Sequence, residues 1–587
     1  MHKRTLRITA LLLAVCMLAA VTGGCAAQTQ QPAAAQTTDA PAATSPGTQA
    51  AEATAAPQSQ DGQQAASGNS WENQPQTTIS LFYDKSISTS DFDKWWGKDL
   101  VSSYIIENTN VDIKWMMSPD NDHTKLQILV ASGELPDVLV AESSLALIHD
   151  LVLNDMIWAI NELEQTAAPD FISRNIPDHS VKHFRIAFDS MNLYCLPTGW
   201  YSEQAISDPD LIKNSAGVAV IEQVYEELGS PDTSTLEGFL DMLRQVKQRY
   251  PDMIPAQASR NSGADSDGNV RLIYKLFQLF DLSSRYDITQ DGTYIKYIHS
   301  EKFLDLLKFV NTLYNENLID RAELTDTSET MQAKLFNGMV FCNINQDADN
   351  IDWFSDELQK VKPDWNWIMI EAPSAYQDQG IGYTNDGIGG GAGDGMVHFI
   401  TKGGNAARAL QLYDFIFQDE TQLYLVRGTE DAWESYDGSI AVLKPEVSEA
   451  EDAVKKGEYG VGAYWLWRGS DVTARHKPVD ASEYQQASME QNAKYYQDYS
   501  FFSGAENYAS DSEEVKIFSV VKEYYQTAVV EIIMCDPNQV ESKYETMIQT
   551  MMDLGQGKLD EYINNYYQNK AAIEEKYSQG LDLSYMD

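Results

Sequence analysis

The stretch DHTKLQILVASGELPDVLV, residues 122 to 140, changes its periodicity partway along. Leu126, Leu129 and Val130 share one face at helical spacing, and Gly133 stops that helix. Asp137 to Val140 then reads as a short apolar strand of the buried kind. The same alternation continues on its N-terminal side. TTISLFYD, Thr77 to Asp84, is β-prone with apolar residues at Ile79, Leu81 and Tyr83, and VDIKWMM, from Val111, is a second strand. Residues 91 to 107 between them predict a helix. The order βαβαβ predicts a parallel sheet with helices packed on its faces.

Further along, STLEGFLDMLRQVKQRY opens with Ser234 and Glu237 at capping-box spacing. It then sets Leu236, Phe239, Leu240, Leu243, Val246 and Tyr250 on one stripe. FLDLLKFVNTLYNENL, ARALQLYDFIF and the last hundred or so residues read as helices as well, and no fixed-period repeat occurs. The class is α/β with a helical tail. The folded body, about 510 residues, exceeds what one small core organises and predicts two or more lobes.

Residues 1 to 24 read as a targeting segment. Lys3, Arg4 and Arg7 precede the apolar run Ile8 to Val21, which is shorter than the roughly 20 residues that cross a bilayer. Thr22, Gly23 and Gly24 lead into Cys25, so the segment resembles a bacterial lipoprotein signal, with Thr22 at the position usually held by Leu. Cys25 is the expected lipidation site, its two acyl chains holding the protein at a membrane. From residue 25 to 76 the chain is rich in Ala, Gln, Thr, Pro and Ser, a composition that cannot offset its conformational entropy by burial. It reads as a flexible tether spanning roughly 40 Å root-mean-square.

Charge narrows the function. The formal charge is −45 for the whole chain and −48 once the three basic residues of the signal are removed. Nucleic acid, whose binding rests on Lys and Arg neutralising phosphates, is excluded as a partner class. Cys195, Cys342 and Cys535 are far apart in sequence and read as buried small side chains with at most one bridge. NDGIGGGAGDGM, Asn385 to Met396, lacks the Lys-Ser/Thr of a phosphate loop and reads as a hinge or ligand-facing loop. Asp265, Asp267 and Asn269 sit at the first three positions of a calcium loop, but Val270 replaces the turn glycine and no closing acid follows, so DSDGN reads as a surface turn. Asp347 opens DADNID, which fails similarly. His179 and His183 have i, i+4 spacing without a third ligand, and no metal is expected.

Several segments carry a resemblance in shared order: NTNVDIKW, KLQILVASGELPDVLV, LYCLPTGW, VYEELGSPDTSTLEGFLDMLRQVK, MVFCNINQDADNIDWF, MVHFITKGGNAARALQLYDFIF, LVRGTEDAWESYDG and VESKYETMIQTMMDLGQGKLDEYINNYYQ. Together, over nearly all of residues 77 to 570, they resemble the extracellular solute-binding proteins of the ABC-transporter sugar class. These belong to the maltose-binding-protein superfamily, and the likeness is greatest to its large lipoprotein branch. The resemblance implies a periplasmic-binding-protein-like fold of two α/β lobes with a hinge between them and a helical C-terminal region. The first lobe would take 77–197 and about 395–470, the second 198–394 and about 471–587. It also implies a carbohydrate held between lobes, delivery to permease subunits in the membrane, no cofactor, no chemistry of its own, and a monomer at the extracellular face of the cell membrane.

Ligands of open α/β sheets gather at the carboxyl ends of strands. That rule nominates Tyr83, Asp84 and Lys85; Glu142 and Ser143; Trp200 and Tyr201; Asn345, Gln346 and Asp347; and Asp394. Twelve Trp and 31 Tyr suit a sugar, whose C–H faces stack on aromatic rings. Trp95, Trp96 and Trp465 lie beside polar or Gly-rich sequence, as do Trp200, Trp353, Trp433 and Trp467, which are the favoured stacking platforms, with Arg468 as a donor. WLWR, read as a strand, would turn Trp465 and Trp467 to one face, with one of them serving the core. A secreted glycoside hydrolase using paired carboxylates and a peptide-binding or adhesin lipoprotein stay open as alternatives.

Overall fold

Helices and strands alternate through the first part of the chain because its apolar spacing switches repeatedly between the helical and the extended period. The computed structural model describes residues 69–85, 92–119, 123–207, 216–259, 268–282, 286–289, 293–347, 351–379, 395–470, 472, 508 and 512–586. The signal, Cys25, the tether as far as residue 68 and Asn385 to Asp394 lie outside the described residues. Among those described, the strands are β1 (Thr77–Tyr83), β2 (Val111–Met117), β3 (Val138–Glu142), β4 (Ala216–Ile221), β5 (Ile254–Gln257) and β6 (Tyr286–Ile288). They continue with β7 (Tyr294–Lys296), β8 (Val340–Asp347), β9 (Trp367–Ile370), β10 (Met396–Ile400), β11 (Trp433–Tyr436) and β12 (Ala441–Leu443).

Two four-stranded sheets organise two lobes. The first has the order β10-β3-β1-β2, with β1 parallel to both β2 and β3. The expected parallel unit is present, and β10 adds an antiparallel edge from far along the chain. Ile79, Leu81, Phe82, Val138, Leu139 and Val140 are buried, as central parallel strands covered on both faces require. The second sheet has the order β5-β8-β4-β9, with β5 parallel to β8 and β4 antiparallel to its neighbours. The first core joins residues between Trp71 and Trp200 to residues between Val397 and Trp467. The second joins Val218 through Ile370 to Val521 through Met551. The helices Glu513–Met534 and Val540–Asp553 pack on the helix Glu301–Asn315 and complete that second core.

Local rules explain most boundaries. The helix Thr124–Ser132 ends at Gly133 in the left-handed region (φ 70°), where its N–H reaches the carbonyls of Leu129 and Val130. β3 starts one residue later than expected, because Asp137 is a bridge: its carboxylate accepts from the Ser80 N–H (2.8 Å) and the Ser80 hydroxyl (2.7 Å). The helix predicted at 91 to 107 is instead two, Phe92–Trp95 and Leu100–Thr109. Asp99 restarts the second by accepting from Ser102 N–H at 2.9 Å.

Other boundaries correct the reading. The helix Leu236–Arg249 buries Phe239, Leu240, Leu243 and Val246 of its expected stripe and leaves Leu236 and Tyr250 half-buried, yet its N-cap is Thr235, whose hydroxyl accepts from Gly238 N–H at 3.2 Å. Ser234 is occupied by Asp232, and Glu237 reaches Arg244 instead of the cap. WLWR is no strand: Trp465–Trp467 is a turn of 3-10 helix, which sends the two indoles in different directions. The folded body also begins before Thr77, since Trp71 is buried against Phe415 (centroids 5.3 Å apart) and Ser70 donates to Asp414. Cys195, Cys342 and Cys535 are buried.

Candidate functional site

Because β1, β2 and β3 run parallel, their carboxyl ends share one edge of the first sheet. Asp84 N–H donates to Val140 O and Ser118 N–H to Tyr83 O, each at 2.9 Å, which fixes the chain as it leaves β1. Asp84 is fully buried. Its Oδ2 lies 2.7 Å from His123 Nδ1, while its Oδ1 is buried with no hydrogen-bond partner among the described residues. An orphaned carboxylate oxygen costs free energy until a donor reaches it, so this atom is the strongest pointer to a polar guest along the edge. The hydrogen bond to Asp84 raises the His123 pKa above its ordinary value, and burial opposes that rise.

Beside this pair, Lys85 and Glu142 form an ion pair that bridges the ends of β1 and β3. The Tyr83 ring is buried, and its hydroxyl is held un-ionised by burial first and by the Glu142 charge second. Trp465 meets Tyr83 edge-on, with centroids 6.1 Å apart, and also reaches Phe92 (6.2 Å). It is half-buried, unlike its neighbour Trp467. Ser143 is buried, and its carbonyl accepts from His149 Nε2 at 3.1 Å. The edge therefore brings together Tyr83, Asp84, Lys85, Glu142 and Ser143. It adds His123, which sequence reasoning did not nominate, and Trp465, which it named beside polar sequence but did not favour as a platform.

His123 carried one weak local signal. It stands at the helix start in a left-handed conformation (φ 62°), uncommon for a residue with a side chain. Nothing along the chain, however, brings residue 123 to residue 84.

The other nominated residues lie elsewhere. Trp200 is buried in the first core, its ring 4.5 Å from that of Phe417. Tyr201 is buried beside it in sequence. Trp467 is fully buried among Trp96, Trp115 and Tyr464 (centroids 5.8, 5.4 and 5.8 Å). Trp433 is buried, with its Nε1–H donating to Arg427 O at 2.8 Å. These three rings fill cores, and none offers an open face for stacking; large aromatics give their area to packing unless an exposed cleft draws them out. Trp353 is half-buried against Phe336 and Phe354. Asn345, Gln346 and Asp347 end β8, where Gln346 and Asp347 pair with Gly217 and Ala216 of β4. Asp394 lies outside the described residues.

Arg468 contributes through its backbone. Its carbonyl accepts from Gly199 N–H (3.0 Å), Ser470 N–H donates to Trp200 O (2.6 Å), and the Ser470 hydroxyl donates to Gly199 O (2.6 Å). Gly199 is left-handed (φ 66°), and a Cβ there would press on Ser470 Oγ at 3.1 Å. Two segments thus leave the first core laced side by side.

The second sheet has its own carboxyl edge. Gln257, at the end of β5, spends its Nε2–H on Ser259 O (2.6 Å), and its Oε1 is buried without a partner among the described residues. The next N–H, of Ala258, donates to both carboxylate oxygens of Glu323 at 3.0 Å. Burial pushes the Glu323 pKa up to about 8. Neither residue was nominated from sequence.

Among the described residues no group of three or more His, Cys, Asp and Glu is arranged to hold an ion. His179 Nδ1 lies 3.0 Å from the Tyr585 hydroxyl. Asn269 Nδ2 donates to the Tyr297 hydroxyl at 2.8 Å, and its Oδ1 accepts from Tyr525. Asp265 and Asp267 lie outside the described residues. No described helix is long and apolar enough to cross a membrane.

No protein-family model matches the sequence, and no curated protein matches it. Solved structures do match in fold. The alginate-binding protein AlgQ2, in a structure without calcium ion, superposes with a TM-score of 0.62 at 16% identity over 85% of this chain and 99% of its own. The N-glycan transport solute-binding protein NgtS of Streptococcus pneumoniae gives 0.56 at 14% identity, over 86% and 100%. An HMO-binding ABC-transporter-associated solute-binding protein from Bifidobacterium longum infantis gives 0.57 at 12% identity, over 85% and 99%. Each neighbour is covered nearly end to end, so the chain has the two-lobed α/β fold of solute-binding proteins.

Proposed function

We propose that this chain is the substrate-binding protein of an ABC importer, holding an oligosaccharide between its two lobes and passing it to the permease. It performs no chemistry on the sugar, and a lipid on Cys25 tethers it to the extracellular face of the membrane. The observation that carries the reading is the first sheet's carboxyl edge. There a buried carboxylate oxygen of Asp84 has no donor among the described residues, next to the Lys85–Glu142 pair and the half-buried Trp465. Sugar hydroxyls supply donors in fixed directions, and sugar C–H faces suit an indole. Binding proteins of this fold close around a ligand that both lobes touch, because the contacts made only in the closed state stabilise it. Glu142, Ser143 and the strand end Asn345 to Asp347 are the further positions we assign to the cleft.

The test is a glycan array followed by calorimetry on the mature chain carrying Cys25→Ser, which keeps it in solution. A saturable one-to-one heat with an oligosaccharide, weakened by Asp84→Asn, is the expected result. Conversion of a bound glycan into smaller products would establish a hydrolase instead. Absence of binding across neutral and acidic glycans, with binding of peptides, would move the reading to a peptide-binding lipoprotein.

A further inference from the structure

The two lobes are joined again at the C-terminus. The helix Gln556–Gln568 belongs with the second lobe, lying on β7, which runs directly into Tyr297 and Ile298 of that core. Tyr567 stacks on Tyr294 with centroids 4.0 Å apart, and His299 Nε2 lies 2.9 Å from Asp560 Oδ2. The next helix, Lys570–Tyr577, has already changed lobes. It packs on the helix Asp178–Ala187, whose Val181, Phe184 and Ala187 are part of the first core. Tyr577 is buried against Ile186.

The fastening is made of several independent contacts. Arg185 Nη1 donates to the carbonyls of Tyr577 (3.3 Å), which the helix end leaves without an intrahelical partner, and Gln579 (3.1 Å), two residues beyond it. Tyr585 Oη accepts from His179 N–H at 2.9 Å, and Asp178 Oδ2 accepts from Asp582 N–H at 2.6 Å. Lys576 pairs with Asp189 (3.0 Å), and Leu581 packs against the first core. The last turn, Ser584–Met586, lies against the helix Glu203–Ser207, which follows directly on the crossing at Trp200.

We infer that the segment Lys570–Met586 is a strap that limits how far the two lobes swing apart. Gly199 and Arg468 stand where two segments leave the first core side by side, and hinges take up rotation in a few loop residues at such crossings. A segment anchored to both lobes can follow such a rotation only by bending near Asn569, or by undocking from Asp178–Ala187, where Tyr566 and Tyr567 at the end of the preceding helix also pack beside Ile186 and Tyr577. Undocking would expose the Tyr577 ring and strand the Arg185 guanidinium, so the strap opposes wide opening. Its consequence for affinity rests on the proposed binding between lobes; its consequence for lobe motion does not.

The test uses the full mature chain with Cys25→Ser and spin labels at Glu107→Cys and Lys308→Cys. Both sites are exposed and lie on different lobes, and Cys195, Cys342 and Cys535 are buried. Interlobe distances are measured by pulsed electron resonance without ligand. A chain ending at Asn569, and a full-length Arg185→Ala/Tyr577→Ala double variant, should each give a broader distribution shifted to longer distance. Should the shortened chain fail to fold, the double variant decides alone. Distributions that match the parent would overturn the strap, while leaving the sugar-binding reading to its own calorimetric test.

Discussion

His398 gives the most quantitative prediction. It sits in β10, fully buried, where Tyr413 Oη donates to its Nδ1 at 2.6 Å and its Nε2–H donates to Leu466 O at 3.0 Å. Both ring nitrogens are satisfied by the neutral imidazole alone, and burial lowers the pKa from 6.5 to about 4. Above pH 6.5 the ring is neutral in the folded and the unfolded chain, and its contribution is constant. As pH falls below 6.5 the unfolded chain takes the proton first, so stability is lost until the folded pKa is passed. Linkage puts the loss at about 2 kcal/mol by pH 5 and about 3 kcal/mol by pH 4. The acidic chain has many carboxylates that also titrate there, so the assay is a difference. Urea unfolding of the parent and His398→Gln is compared at pH 7.5, 5 and 4, with the His398 ring followed by NMR. The stability gap between the two proteins should narrow by those amounts. A gap that stays constant to within about 0.5 kcal/mol, or a His398 ring that titrates near 6.5, would refute the argument.

Three further outcomes follow from the same structure. Trp200→Ala should lower unfolding stability by about 3 to 5 kcal/mol, as emptying a core aromatic site does, whereas Trp465→Ala should chiefly weaken sugar binding in calorimetry. Glu323→Gln should stabilise the protein increasingly between pH 4.5 and 8. Over that interval the unfolded carboxyl ionises while the buried one stays protonated, so the parent loses stability that the variant keeps; denaturant midpoints across the range read this out. Cys25→Ser should release the folded body from the membrane or block its processing, checked by fractionation and intact mass; a cleaved, unlipidated wild-type species retaining Cys25 would count against the anchor.

What the chain's own pattern determined is local. The helix stop at Gly133, the apolar runs of β1 and β3 and the stripe of Leu236–Arg249 were legible because each depends on neighbours within a turn or two of sequence. The end of β1 was legible to within a residue for the same reason, whereas β3 runs to Glu142, two residues past the apolar run that predicted it. Competition between adjacent residues was harder: Ser234 and Thr235 both offer a cap, and the choice fell on the hydroxyl free of Asp232. The aromatics were decided by the tertiary structure. Trp465 and Trp467 are two residues apart, yet one borders Tyr83 half-buried and the other is sealed among Trp96 and Trp115, because a 3-10 turn separates what a strand would have aligned. The pairing of Asp84 with His123, the burial of Glu323 beside Ala258 and the docking of Tyr577 on Ile186 likewise join residues distant in the chain. Proximity of that kind is a property of packed surfaces, which periodicity along the chain does not encode.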